Sequence, residues 1–272
     1  RGVMIVEGDA ENILIPALAK LIGHDFTEYG VSIVNVGGIG LRRYAKIFQR
    51  QGKNPIALDV PVACVTDMDV MPNCAPEIIG KVKVGEQWPE NRKWKVKKDF
   101  EGGGATNTLA DRKLKIEEKA QGQCVQSFVS DEWTLEYDLA YSGLAEEVYI
   151  AAYLTKKEKV ISDDTLEKEI ADARTAYEKL LTDADGEAFD GCTKDEYIAS
   201  KIYAMFTTGT KASKTIAAQY LAELLEKKHE SGELTSDSLQ DKLPKYLINA
   251  IKYVTPKPNT KNSDQSTDES RK

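Results

Sequence analysis

The chain has 272 residues, of which 41% are apolar and 30% are charged. This length suits one large domain or two smaller ones, and the composition is typical of a globular protein with a sizeable core. The net charge of −7 argues against a simple basic surface for nucleic acid, although carboxylates that hold divalent metal ions can also face phosphates.

The first third of the chain alternates between strand and helix patterns. Apolar runs predict strands at Val3–Val6, Val31–Val36 and Pro61–Thr66, and helical spacing of apolar residues predicts helices at Asn12–Ile22 and Leu41–Arg50. This order predicts an α/β fold with a mostly parallel sheet that is flanked by helices.

Residues 70–104 are predicted to be a loop-rich insertion, because prolines and a glycine triplet interrupt any regular pattern. A basic stretch within it is a candidate for contacts with DNA phosphates, and two tryptophans among the lysines could stack on bases. A solvated basic edge and partly buried packing are equally good interpretations. The residues are Lys93, Lys95, Lys97, Lys98, Trp88 and Trp94.

A further strand is predicted at Gln123–Val129, with Ser130 as the N-cap of the helix that follows it. Beyond it, helical patterns continue to Val254, and the remaining residues have no apolar content. We therefore expect an α/β domain at 1–143, an appended all-α domain at 144–254 and a disordered tail at 255–272. The last predicted helix covers about residues 236–253.

Three predicted strands end in acidic residues. These residues, with those that open the following helices, are Glu7, Glu11, Asp67, Asp69, Asp131 and Glu136. The carboxyl ends of parallel strands meet at one edge of a sheet, so we expect the acids to converge there. Carboxylates this close repel one another unless cations neutralise them, and hard oxygen ligands suit Mg²⁺ or Mn²⁺. Two such ions would stabilise the attacking and leaving oxygens of a phosphodiester.

Each of these acids also has a structural explanation when it is taken alone. Glu11, for example, would be a favourable charge at a helix N-terminus. The prediction of a metal site therefore rests on the joint pattern, in which a strand and EGxxE precede two more strand–helix steps and a strand that ends in DxD.

The segments "VEGDAE" and "VACVTDMD" resemble the Toprim domain of primases, topoisomerases and several nucleases. This resemblance implies that Glu7, Asp67 and Asp69 bind catalytic metal. The longer segments "VEGDAENILIP", "TLEYDL" and "KTIAAQYLA" resemble the OLD (overcoming lysogenization defect) nucleases and extend the likeness to residue 222. They imply a catalytic role for Lys214, beside the metal ligands.

The resemblance also implies an activity and partners. It implies a Mg²⁺- or Mn²⁺-dependent endodeoxyribonuclease with two metal ions, which acts on DNA in phage defence or DNA processing. An ABC-type ATPase domain would precede it in the full-length chain, and a homodimer could form through that part. This chain starts at Arg1 and has no Walker A pattern, so we expect it to be the C-terminal fragment of a longer protein.

Two other functions stay open on the sequence. An acid-rich phosphotransferase could use a DxD motif, although the additional EGxxE motif argues against it. A catalytically silent Toprim module could serve oligomerisation or partner binding, although the full set of candidate ligands argues against that.

The remaining sequence features concern location. No run of 18 apolar residues is present and no signal peptide is visible, so we expect no membrane association and a cytoplasmic protein. The four cysteines form no CxxC pair and are expected to be free thiols of a reducing compartment. The two histidines make a zinc site of His and Cys ligands an unfavoured interpretation.

Overall fold

The structure is a computed structural model. It describes residues 1–38, 40–52, 56–101, 108–157, 163–186 and 191–256. The glycine triplet at 102–104 and most of the predicted tail, residues 257–272, lie outside the described residues. No helix in the described ranges combines the length and the apolar character that crossing a membrane requires.

A four-stranded parallel sheet forms the centre of the molecule, with the strand order β2-β1-β3-β6. Its strands are β1 (Gly2–Val6), β2 (Val31–Asn35), β3 (Val62–Thr66) and β6 (Val125–Val129). Strands of apolar, mainly β-branched residues are typical of a parallel sheet that is covered on both faces. The predicted fold class, a mostly parallel sheet flanked by helices, is confirmed.

The helices follow the strands in chain order. They are α1 (Asp9–Leu21), α2 (Phe26–Tyr29), α3 (Leu41–Ile47), α4 (Ala75–Ile78), α5 (Leu109–Glu117), α6 (Leu135–Leu139), α7 (Ala145–Thr155), α8 (Asp163–Asp185), α9 (Lys194–Thr207), α10 (Lys214–Glu230), α11 (Ser236–Lys242) and α12 (Lys245–Val254). A kink within Ala140–Leu144, where Gly143 has a φ of +135°, separates α6 from α7.

Alternate residues of β1 point to opposite faces of the sheet, as the period of two in a strand requires. Met4 and Val6 belong to the large core that also includes residues of α1, α10 and α12. Ile5 packs on the other face with Cys64 and with Ala45 of α3. The two central strands are therefore covered on both faces, and their carboxyl ends are the places that a ligand can reach.

The helical part of the chain packs directly on the sheet. The α10 helix lies against α1, and α12 lies across β1, β3 and β6. The Tyr253 hydroxyl donates a hydrogen bond to the Cys124 carbonyl oxygen over 2.9 Å. The predicted division of the chain at residue 143 stays a prediction, and the two parts share one apolar core.

The predicted helix at 236–253 is two helices, and this prediction was wrong in that respect. The chain is extended at Leu243, where ψ is 146°, and α12 begins after Pro244. Proline disfavours helical geometry in the residue before it and lacks the N–H that a continuous helix needs.

The insertion at 70–104 holds only short elements. Two-residue strands, β4 (Val70–Met71) and β5 (Lys95–Val96), pair in parallel, and a 3₁₀ turn follows at Lys97–Phe100. Arg92 forms an ion pair with Asp99 and donates a hydrogen bond to the Trp94 carbonyl oxygen over 2.7 Å, and these contacts link the two sides of β5.

Candidate functional site

Glu7 lies at the carboxyl edge of the sheet, as its position after β1 predicts. Ile5 is opposite Cys64 in the register of β1 and β3, so Glu7 comes beside Thr66. The Thr66 hydroxyl donates a hydrogen bond to the Glu7 carboxylate. Burial raises the pKa of Glu7, the hydrogen bond from Thr66 opposes the rise, and the charge of Asp69 adds to it.

Glu11 reaches the same edge from the first turn of α1. A Cβ atom at Gly8 would lie 2.9 Å from Glu11 Oε2, so the glycine of the EGxxE motif leaves space for this carboxylate. Burial and the charge of Glu136 raise the pKa of Glu11. Glu7 contributes to the same rise, although Lys214 opposes it.

Hydrogen bonds to both backbone groups of the central residue, Met68, hold the DxD motif in place. The Met68 N–H donates to Ser130 Oγ over 2.6 Å, and the Met68 carbonyl oxygen accepts two hydrogen bonds from the Arg112 guanidinium, at 3.1 and 3.0 Å. Asp69 has a left-handed backbone with φ of +55°, which aspartate tolerates better than most residues. These bonds fix the direction of the two carboxylates.

Asp67 lies at the floor of this edge, half-buried beside the other acids. Burial raises its pKa well above the ordinary value, and the charges of Glu136 and Glu11 raise it further. Lys214 opposes this rise. Asp67 therefore lies within electrostatic reach of Glu11, Glu136 and Asp69.

Lys214 is the first residue of α10 and follows the N-cap Ser213. Its ammonium group lies 2.8 Å from Glu136 Oε2 and 5.2 Å from the centre of the Tyr203 ring. Burial alone would lower the pKa of Lys214, but the charges of Glu136, Tyr203 and Asp67 and the hydrogen bond to Glu136 together outweigh it, so the pKa is raised. The helical part of the chain thus places a cation among the acids of the sheet.

The structure does not bring Asp131 into this group. Its Oδ1 atom pairs with Lys113 at 2.8 Å, and its Oδ2 atom accepts the Tyr246 N–H at 3.2 Å. Both oxygens are therefore engaged by groups other than the predicted ligands.

The predicted N-cap at Ser130 was wrong. The helix begins at Leu135, and the carboxylate of buried Asp138 accepts the N–H groups of Asp131, Glu132 and Trp133 at 2.8, 3.0 and 2.8 Å. These donors therefore do not enter a helix that starts at Ser130.

No group of three or more Asp, Glu, His or Cys side chains in the described ranges is arranged so that it could hold a metal ion. Lys214 pairs with Glu136 instead, and Thr66 bonds to Glu7. The donor set nevertheless fits Mg²⁺ or Mn²⁺, because these are hard carboxylate oxygens. The raised pKa values of Glu7, Glu11 and Asp67 indicate negative charge that a cation would stabilise.

A cleft of about 480 Å³ opens in front of the acids. Glu7, Asp67 and Asp69 line it, and four basic side chains line it as well. These are Arg42, Arg43, Arg112 and Lys119. Sequence reasoning did not single them out. The available signal was the position of Arg42 and Arg43 directly after the glycine-rich turn that follows β2.

The lysines that were predicted to contact DNA lie elsewhere. Lys97 forms ion pairs with Glu132 and Glu196, and the Lys98 ammonium lies 3.2 Å from the centre of the Trp88 ring. Lys93 and Lys95 are exposed. A separate cavity, which does not include the acids of the sheet edge, is lined by Lys95 and Lys98.

The two tryptophans of the insertion pack against each other. Trp88 and Trp94 meet edge to face with ring centres 5.2 Å apart, and the Arg92 guanidinium lies over both rings. This arrangement matches the packing interpretation of these aromatics and leaves less ring surface for stacking on bases.

Comparisons with known proteins place these motifs in a family. Residues 1–69 match the model described as "Overcoming lysogenization defect protein-like, TOPRIM domain". Among solved structures, the chain is similar to the C-terminal region of the Burkholderia pseudomallei OLD protein, with 23% identity, 93% of this chain and 96% of that chain covered, and a TM-score of 0.48. It is also similar to the C-terminal region of the Xanthomonas campestris pv. campestris OLD protein. The identity is 22%, the match covers 93% of this chain and 94% of that chain, and the TM-score is 0.47. No curated protein matches the chain. Residues 1–69 are therefore an OLD-like Toprim domain, as the motifs around Glu7 and Asp67 predicted.

Proposed function

We propose that the chain is a metal-dependent endonuclease that cleaves phosphodiester bonds of DNA. The observation that carries this proposal is the convergence of Glu7, Glu11, Asp67 and Glu136 with Lys214 at the carboxyl edge of a Toprim sheet. A Toprim domain of this family suggests chemistry of the nuclease or primase type. The acids and the lysine together match the needs of phosphodiester hydrolysis.

Glu7, Asp67 and Asp69 would hold one divalent ion, and Glu11 and Glu136 would help to hold a second. Bound there, Mg²⁺ or Mn²⁺ would supply Lewis-acid stabilisation of the charge that develops on the phosphate. Asp131 is no longer part of the proposed ligand set, because Lys113 and the Tyr246 N–H occupy its oxygens.

The residues of the chain have separate roles in this reaction. Thr66 orients the Glu7 carboxylate, and the bonds from Ser130 and Arg112 to Met68 orient the DxD turn. The Lys214 ammonium stabilises the negative charge of the reacting phosphate. A water oxygen bonds to phosphorus and gives up a proton to the solvent, the bond between phosphorus and the 3′ oxygen breaks, and the leaving oxygen takes up a proton from the solvent.

The test is nicking of supercoiled plasmid DNA with Mg²⁺ or Mn²⁺ and with EDTA. We expect nicking that requires metal and that falls to background in Glu7→Gln and in Asp67→Asn. Glu28→Gln is the matched control, because Glu28 is an exposed acid on α2. Equal melting temperatures would show that each variant is folded. Wild-type nicking rates in Glu7→Gln would disprove the assignment.

A catalytically silent Toprim module is the second candidate. The Lys214–Glu136 ion pair favours it, because a lysine can neutralise an acidic cluster without a metal. The same assay separates the two functions, since a silent module would cleave neither plasmid DNA nor small phosphate esters. Cleavage of small esters alone would instead indicate a phosphotransferase-like site.

A further inference from the structure

The cleft in front of the acids has a basic rim, defined here as Arg42, Arg43, Arg112 and Lys119. Two of these residues belong to α3, and two belong to α5 and the turn that follows it. The chain as a whole carries a net charge of −7. Four cations around one acidic cleft are therefore a local feature that the overall charge does not reveal.

The four cations differ in how they are held. Arg112 is fixed by its two hydrogen bonds to the Met68 carbonyl oxygen. Arg42, Arg43 and Lys119 are exposed, and none of the three forms an ion pair with another described residue. Their charges are therefore available to a ligand, whereas those of Lys97 and Lys214 are already paired.

We propose that Arg42, Arg43 and Lys119 bind the phosphates of a DNA strand on either side of the bond that is cleaved. This inference rests on the proposed function and assigns the nucleic-acid surface of the same site. An arginine fork matches the geometry of a phosphate and donates two parallel hydrogen bonds to it. Arg112 is a positioning residue that also adds positive charge to the rim.

The arrangement suits a polymer better than a small phosphate ester. Glu7 and Asp67 are half-buried in the cleft, whereas Arg42, Arg43 and Lys119 are exposed, so the cations are placed for phosphates that flank the reacting one. A DNA backbone presents a phosphate to the floor and further phosphates to the rim. Binding energy from the rim would then hold the reacting phosphate over the acids, which otherwise repel it.

The test compares two double variants with equal loss of charge. Arg42→Ala/Arg43→Ala removes half of the rim, and Lys93→Ala/Lys95→Ala removes two exposed lysines of the insertion. The probe is a fluorescein-labelled DNA duplex, and its anisotropy is measured in EDTA over a series of salt concentrations. Metal and cleavage then contribute nothing to the signal.

We expect the rim variant to reduce the slope of log K against log salt by about 1.8, the value for two lost phosphate contacts. The insertion variant should keep the wild-type slope. Equal slopes in the two variants, a loss confined to the insertion variant, or a wild-type protein that does not bind the duplex would each overturn the inference. Equal melting temperatures confirm that both variants are folded.

The two proposals can fail separately. A protein that binds DNA through the rim but never nicks a plasmid would disprove the nuclease and support the rim. A protein that nicks DNA at the same rate with and without Arg42 and Arg43, and with an unchanged salt slope, would disprove the rim and leave the nuclease in place.

Discussion

At the scale of single residues, Gly8 is required by its neighbour and not by its own backbone. Its φ of −143° is an ordinary extended conformation, which any residue adopts. The constraint is the carboxylate of Glu11, which would lie 2.9 Å from a Cβ atom at this position. The glycine of the EGxxE motif thus acts by making space.

We predict that Gly8→Ala displaces the Glu11 carboxylate and weakens metal binding by about 10-fold or more, the range seen when the support of a metal ligand is lost. Titration calorimetry with Mn²⁺ measures the affinity. Gly186→Ala is the control, since its Cβ would come no closer than 3.8 Å to another described atom. Equal affinities of the two variants would contradict the spatial role of Gly8.

A second prediction concerns Lys214, and it uses methionine to keep the alkyl packing of the side chain. Lys214→Met should reduce turnover by about 10² or more, the scale of one lost electrostatic stabiliser. Metal affinity should not fall, because an ammonium group is no ligand and its removal frees Glu136. Single-turnover cleavage and Mn²⁺ titration measure the two effects.

The control for this prediction is Lys211→Met. Lys211 is exposed and precedes α10, so its loss should leave cleavage nearly unchanged. If both variants lose the same activity, Lys214 contributes only general surface charge, and the helical layer supports the site without taking part in it.

The sequence alone could not have located Lys214. It lies 78 residues from Glu136 along the chain, and its local pattern is that of a solvated lysine at the start of a helix. Only the resemblance to OLD nucleases singled it out. Glu7, Asp67 and Asp69 were accessible from the residues themselves, because each follows an apolar run that reads as a strand.

At the scale of elements, the predicted strands agree with the structure because their apolar runs identify them. The predicted helix start was wrong because a side chain further along the chain forms hydrogen bonds with the backbone there. The strands β1, β2 and β3 follow directly from their apolar runs. The start of α6 does not, because Asp138 reaches back to accept the N–H groups of residues 131–133, and the chain becomes helical only at Leu135. No local spacing rule predicts that contact.

We predict that Asp138→Ala lowers the free energy of unfolding by about 1–3 kcal/mol, the cost of leaving the buried Trp133 N–H unsatisfied. Asp138→Asn should cost less, because its amide oxygen still accepts hydrogen bonds. Asp164→Ala, at an exposed position of α8, is the control. Urea denaturation measures all three. A loss below that of the control would show that this turn is held by other contacts.

At the scale of the whole molecule, the net charge does not show how the acidic and basic residues are distributed over the surface. A net charge of −7 coexists with an acidic floor and a basic rim in one cleft. The lysines of the insertion stood out in the sequence because they are close together in the chain. The rim residues come from α3, from α5 and from the turn after α5, so only the folded structure shows that they lie together.

We predict that Mg²⁺ or Mn²⁺ raises the melting temperature, because an ion that binds only the folded acids stabilises the fold by mass action. At a metal concentration 100 times the dissociation constant, the gain is about 2.7 kcal/mol. Differential scanning fluorimetry measures the shift, and Asp67→Asn should reduce it. No shift at millimolar metal would favour the silent-module interpretation.

The position of α12 has a consequence for synthesis of the chain. This helix lies across three strands of the sheet, and Val254 lies against Gly2, the first residue of β1. At about 5–20 residues per second, a ribosome needs roughly 10–50 s between making β1 and making α12. Throughout that interval one face of the nascent sheet lacks its cover. The apolar residues of β1 and β3 that α12 covers are therefore accessible to chaperones until α12 has been synthesised.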